Sequence, residues 1–193
     1  MLDMAKNSKS KRALARIIST KVTYKGPVFW VTTDQVEEPG RIRARRDVVR
    51  HSGSVVVLAL DESGPEPRVL LERQYRHAAK QFLWELPAGR IDEGERELAA
   101  AKRELLEETG YRARSWKKIL HFYVSPGFLD ETHSIYLARG IKAGAAQPEE
   151  DEKIAIRFFP LSRAEQMAVN GVIRDAKTIA GILWLAKEGG KKS

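Results

Sequence analysis

Hydrophobic and polar positions along the chain alternate between two rhythms, and the rhythms change at glycine and proline. Runs rich in β-branched residues at Lys21–Lys25, Val28–Thr33, Arg41–Val49, Ser54–Leu60 and Val69–Arg76 predict strands, punctuated by Gly26-Pro27 and Gly64-Pro65. Further strands are predicted around Lys117–Tyr123, Ser134–Ala138 and Ile154–Phe159, and helices near Arg96–Glu108, Ser162–Asn170 and Asp175–Glu188. Ser54–Leu60 is apolar on both faces, which predicts a central strand covered on each side, so that a sheet lies between helix layers. Leu98, Ala101 and Leu105 form the stripe by which the first helix would lie on that sheet. Gly110 is placed to end it in the left-handed conformation.

No internal repeat or long Pro/Gly/Ser linker divides the 193 residues, so one domain with a strand-rich N-terminal extension is expected. The segment 1–20 is expected to be a basic flexible tail. No run of about 18 apolar residues occurs, and Met1–Arg16 lacks the apolar stretch of a signal peptide; a cytoplasmic protein is expected. There is no cysteine, which removes thiolate nucleophiles, disulfides and Cys-type zinc sites, leaving oxygen or imidazole to hold any metal.

The net charge of +8 raises the question of nucleic acid. Part of it lies in the ends, at Lys6, Lys9, Lys11, Arg12, Arg16, Lys191 and Lys192, where it is solubilising. The rest clusters at Arg41, Arg43, Arg45, Arg46 and Arg50. Alternation puts Arg41, Arg43 and Arg45 on one face, either a solvated, edge-protecting face or a wall turned toward phosphate. Nucleic-acid binding is not expected: no RNA-binding aromatic motif or helix-turn-helix signature is present, and His51, His77, His121 and His133 lack zinc spacing. P-loop and G-x-S-x-G sequences are absent as well.

Chemistry concentrates between Pro87 and Tyr111. On a helix, Glu104, Glu107 and Glu108 are related by i+3 and i+4 and crowd onto one face, a cost that a hard divalent cation relieves. Alone they are read first as a solvated acidic face paired with Lys102 or Arg103. Gly89 and Gly94, in the loop feeding the helix, let backbone approach phosphate oxygens and tip the balance.

These residues resemble the Nudix box, G-x5-E-x7-R-E-U-x-E-E-x-G-U with U apolar, as Gly89, Glu95, Arg103, Glu104, Leu105, Glu107, Glu108, Gly110 and, loosest, Tyr111. The resemblance implies an α+β fold, a Nudix-type α/β/α sandwich with a mixed sheet plus the N-terminal extension. It implies that Glu104, Glu107 and Glu108, with the main-chain carbonyl of Ala88, bind Mg2+ or Mn2+, and that Glu95 and Arg103 brace the loop against the helix. Tyr111 implies only a difference in packing.

Three segments outside the box look like the ADP-ribose pyrophosphatase branch, and the likeness spans residues 20 to 188. Gln74-Tyr75-Arg76 resembles its arginine strand, with Arg76 on the diphosphate. Ser125-Pro126-Gly127 resembles its proline loop, with Glu131 following. In the acidic run Glu149-Glu150-Asp151-Glu152, Glu150 matches the general base and Glu152 an additional metal ligand, with a register that could slip by one. Arg46, Arg76, Gly89, Pro126, Gly127 and Glu131 are the expected substrate contacts, and Tyr24, Phe29 and Trp30 are candidates to stack on adenine. The implied reaction is metal-assisted hydrolysis of ADP-ribose to AMP and ribose 5-phosphate, the metal neutralising phosphoryl charge and Glu150 deprotonating the attacking water. The alternatives are a hydrolase of GDP-mannose or another nucleoside diphosphate sugar, and a sensing module that binds ADP-ribose without cutting it. The branch also implies a homodimer through residues 21–50, with residues 51–190 the hydrolase domain.

Overall fold

The computed structural model describes residues 15–144 and 154–189. They fall into two compact units, one formed by the chain through His51 together with Gly127–Asp130, the other by Ser52–Pro126 and the chain from Glu131 onward.

The first unit is an antiparallel sheet in the order β1 (Arg16–Lys25), β2 (Trp30–Glu38), β3 (Ile42–Arg50). The strand expected from Lys21 therefore begins at Arg16, and Arg16–Thr20 belong to the sheet and not to a tail. Gly26 N–H closes the first turn onto Phe29 O, and Pro39-Gly40 makes the second, closed by Arg41 N–H onto Glu38 O. Arg41 itself is left-handed (φ 62°) and lies in that turn, so it does not alternate with Arg43 and Arg45 as expected. Every residue of β1 is exposed, whereas Thr32, Asp34 and Val36 bury one face of β2.

Arg50 organises the end of this unit. Its guanidinium bonds Asp34, Thr32 Oγ1 (3.0 Å) and Asp130 (3.1 Å), and Asp130 also accepts the His51 N–H (2.9 Å). Main-chain bonds from Val49 N–H to Phe128 O and from Asp130 N–H to Val49 O lay the Gly127–Asp130 segment alongside β3.

The second unit contains β4 (Ser54–Asp61), β5 (Arg68–Arg76), β6 (Gln81–Glu85), β7 (Ala88–Arg90), α1 (Glu97–Thr109), β8 (Tyr111–Tyr123), β9 (Thr132–Ala143), β10 (Ala155–Pro160), α2 (Leu161–Val169) and α3 (Ala176–Gly189). The sheet runs β10-β5-β4-β9-β8, with β6 on β5 and β7 on β4; β4 and β9 are parallel and the other pairs antiparallel, so the sheet is mixed. Strand β4 is central and divides the core by alternation. Val56, Leu58 and Leu60 pack with Ala164, Met167, Ile182 and Leu185 of α2 and α3. Val55, Val57 and Ala59 pack with Ala100, Ala101 and Leu105 of α1. Each wholly buried Val or Leu contributes about 1.5–3 kcal/mol, so one face of β4 fixes α1 against the sheet and the other fixes α2 and α3. Leu98, expected in the stripe of α1, is instead exposed, and Ala100 takes its place because the buried arc is centred one residue later.

Candidate active site

Two strand pairings aim the box at the helix. Val55 pairs with Gly89 and Val56 with Ala88, and Val57 N–H bonds Pro87 O at 2.8 Å, so the loop leaves the sheet at a fixed point. Gly94 (φ 77°) then turns the chain, closed by Glu95 N–H onto Asp92 O, and α1 follows. It ends as expected at left-handed Gly110 (φ 74°), whose N–H bonds Leu106 O.

Arg103 ties loop and helix together. Its Nε and Nη2 bond the two oxygens of Glu95 at 3.2 and 2.9 Å, and Nη2 also reaches Arg90 O at 3.1 Å. Its Nη1 bonds Glu104 at 2.6 Å and Glu107 at 3.0 Å. The hydrogen bond from Arg103 holds the Glu95 carboxyl below the usual range, and Glu95 in turn raises Arg103. Gly89 lies so close to Glu104 that a Cβ there would stand 2.0 Å from its carboxyl carbon; only glycine leaves room for that side chain.

Glu104 and Glu108 are buried and Glu107 is half-exposed. The three share one side of α1, but their carboxylates do not meet at one spot as the spacing predicts. Glu104 and Glu107 turn to Arg103, and Glu108 accepts the Ala88 N–H at 3.0 Å. Among the described residues no three His, Asp or Glu side chains are gathered to hold an ion as they stand. The donor chemistry nevertheless fits Mg2+ or Mn2+, hard cations that take carboxylate oxygen. The space that Gly89 keeps open for Glu104 and a wholly buried carboxylate without a hydrogen-bond donor, Glu72, support the same fit.

Glu72 belongs to a second ionic group that sequence reasoning missed. Arg76, at the end of β5, grips Glu85 of β6 with two bonds of 2.9 Å, and Lys177 of α3 bonds both Glu85 and Asp175. Burial pushes Glu85 up, but the Arg76 hydrogen bond and the Lys177 charge outweigh it and leave its carboxyl below the ordinary value. Glu72, the register partner of Glu85, is pushed up to about 7 by burial and by the Glu85 charge. The available signal was an acid inside an apolar run, as in Leu70-Leu71-Glu72 and Leu83-Trp84-Glu85-Leu86.

A model of the NUDIX domain matches residues 49–181 of this chain. The chain belongs to the Nudix family. It is 37% identical over 170 residues to an ADP-ribose pyrophosphatase of Mycobacterium tuberculosis, covering 86% of this chain and 80% of that protein. It is 34% identical over 172 residues to a methanol dehydrogenase activator of Bacillus methanolicus, covering 88% and 91%. The fold is similar to that of a solved ADP compounds hydrolase, with a TM-score of 0.78 at 18% identity over 93% of this chain and 98% of that one. Among the described residues no helix is long and apolar enough to cross a membrane.

Within this Nudix chain the other expected residues fall in several places. Arg76 is engaged with Glu85 at the sheet. Glu131 accepts the Ser54 hydroxyl at 2.8 Å and lies 3.1 Å from His133 Nε2, which ties the start of β9 to β4. Pro126 and Gly127 are exposed at the point where the chain leaves the second unit for the first. Arg46 lies on β3 of the first unit against Glu38. The Tyr24 and Phe29 rings lie tilted at 38° with centroids 5.5 Å apart in that unit, and they and Trp30 are exposed. Tyr111 packs edge-on against Phe158 at 5.4 Å. Glu150 and Glu152, like Glu149 and Asp151, lie outside the described residues.

Proposed function

We propose that this Nudix chain hydrolyses the diphosphate of ADP-ribose, releasing AMP and ribose 5-phosphate, with Mg2+ or Mn2+ held by Glu104, Glu107, Glu108 and the Ala88 carbonyl. The observation that carries the reading is the braced loop and helix, in which Arg103 joins Glu95, Glu104 and Glu107 beside the Gly89 backbone. The substrate is supported by likeness to the mycobacterial ADP-ribose pyrophosphatase.

When bound, the divalent cation supplies neutralisation of phosphate charge and lowers the pKa of water. The chain's own residues do the rest. Arg103 holds the glutamates in place through its fork of donors, so little reorganisation is left for the reaction itself. Gly89 keeps a side chain out of the path of the phosphates. Glu150 is proposed to take the proton of the attacking water as the water oxygen bonds one phosphorus and the bridging P–O bond to that phosphorus breaks, the bridging oxygen leaving with the other phosphate; Glu152 would add a ligand oxygen for the cation. Arg76, Arg46, Pro126, Gly127 and Glu131 are proposed to orient the substrate.

The active form is proposed to be a homodimer through residues 21–50. The exposed apolar side chains Ile17, Ile18, Val22, Tyr24, Phe29 and Ile42 favour a partner of the same chain. Sedimentation at micromolar concentration should give a dimer; a fully active monomer would exclude a shared site.

The deciding assay is kcat/KM with Mg2+ for ADP-ribose, GDP-mannose, UDP-glucose, a dinucleoside polyphosphate and a nucleoside triphosphate. ADP-ribose should lead by about ten- to a hundredfold, the worth of one or two base or sugar hydrogen bonds. GDP-mannose should come next, because it carries the same diphosphate. A triphosphate as best substrate would overturn the assignment, and tight ADP-ribose binding with no turnover would make the chain a sensor.

A further inference from the structure

We infer that Glu72 is a further acidic group of the metal site, serving the same cation as Glu108; this rests on the hydrolase reading above. Alternation along β5 fixes where it points. Val69 and Leu71 pack on the side of α2 and α3, and Leu70 on the side of α1, so Glu72 shares the α1 face with Leu70. That is the face on which α1 packs, with its box glutamates Glu104 and Glu108 buried.

Glu72 is wholly buried, and neither of its oxygens has a donor. The cations nearest to it are spent on another acid, since Arg76 grips Glu85 with two bonds and Lys177 bonds Glu85 and Asp175. A carboxylate set inside a sheet, paired in register with Glu85 and receiving no hydrogen bond, calls for positive charge. An oxygen-seeking divalent cation supplies it, whereas a proton shared with a neighbour would satisfy one oxygen only. An apolar residue would continue the alternation of β5 at this position, so the acid is not there to fill the core.

The test is Mn2+ binding to the full chain, followed by the electron paramagnetic resonance signal of the free ion, in the wild type, Glu72→Gln, Glu72→Val and Glu108→Gln. Glu62→Gln, on the surface against Arg139, serves as control. Each Glu72 variant should bind Mn2+ about 10- to 100-fold more weakly while the control matches the wild type. Without metal the Glu72 variants should melt at a higher temperature than the wild type, and Mn2+ should raise their Tm less. Should one of them fail to fold, the other decides. Wild-type Mn2+ affinity in a folded Glu72 variant overturns the inference and leaves the hydrolase reading intact. No Mn2+ binding by the wild type, together with no hydrolysis, overturns both.

Discussion

Arg103 and the three exposed arginines in the middle of β3, Arg43, Arg45 and Arg46, meet carboxylates in contrasting ways. Arg103 has 29% of its side chain exposed and bonds three carboxylates and a carbonyl, so its position is over-determined. On β3, Arg43, Arg45 and Arg46 are 79%, 64% and 53% exposed, and each faces a single carboxylate, Glu37, Asp47 or Glu38. Exposed pairs of that kind are worth about 0–1 kcal/mol, because water screens them and two long side chains must be ordered. The same chemical pair thus fixes geometry in one place and stands screened by water in the other. Burial and the number of acceptors per guanidinium make the difference.

The contrast can be broken most sharply at the metal face. Glu108→Gln should lower kcat at saturating Mg2+ by at least about a hundredfold with unchanged circular dichroism, since charge is lost without core volume. Near wild-type turnover would mean that the ligand set is wrong. Gly89→Ala should follow. Its methyl group would meet Glu104, so we expect kcat to drop about tenfold or more and urea unfolding to show a loss of about 1–3 kcal/mol.

The Arg76–Glu85–Lys177 group gives a pH test of intermediate size. A carboxyl whose pKa is lowered by folding stabilises the protein above its unfolded value, 4.5 for Glu85, and that contribution is lost as pH falls through the folded value. Lys177→Met removes one of its two cations. The urea midpoint of this variant should therefore change less than that of the wild type between neutral pH and about pH 3.5; an equal change would mean that Lys177 does not hold Glu85 down. The smallest effect is expected at Arg46→Ser, under about 0.5 kcal/mol in stability. If KM for ADP-ribose rises while stability stays, Arg46 is a substrate contact and not only a surface charge.

How much could be read in advance follows from how local each signal is. The box was legible because its spacing is written within one loop and one helix, and the central strand because Val55–Leu60 is apolar at every position. Strands β6 and β7 escaped prediction: they are short, and Gly89 reads as loop where pairing to β4 decides otherwise. Arg41 looked like strand because alternation cannot register a left-handed turn residue. Convergence of the box glutamates was overestimated, since helical spacing fixes their Cβ directions but not the pull of Arg103 and the Ala88 N–H on their carboxylates. The Glu85–Lys177 pair spans 92 positions, and nothing local announces it.

Arg50 and Asp130 are 80 residues apart in sequence, yet their bond and the pairing of Val49 with Leu129 belong to the N-terminal sheet. On a ribosome adding about 5–20 residues per second, that sheet waits on the order of 4–16 s for its last element. During this interval β3 is an open edge, and Arg50 and the His51 N–H have yet to receive Asp130, the condition in which a nascent chain recruits a wrong strand. Contacts of such high sequence separation also slow refolding of the full-length protein. The sheet that is synthesised first is therefore completed late.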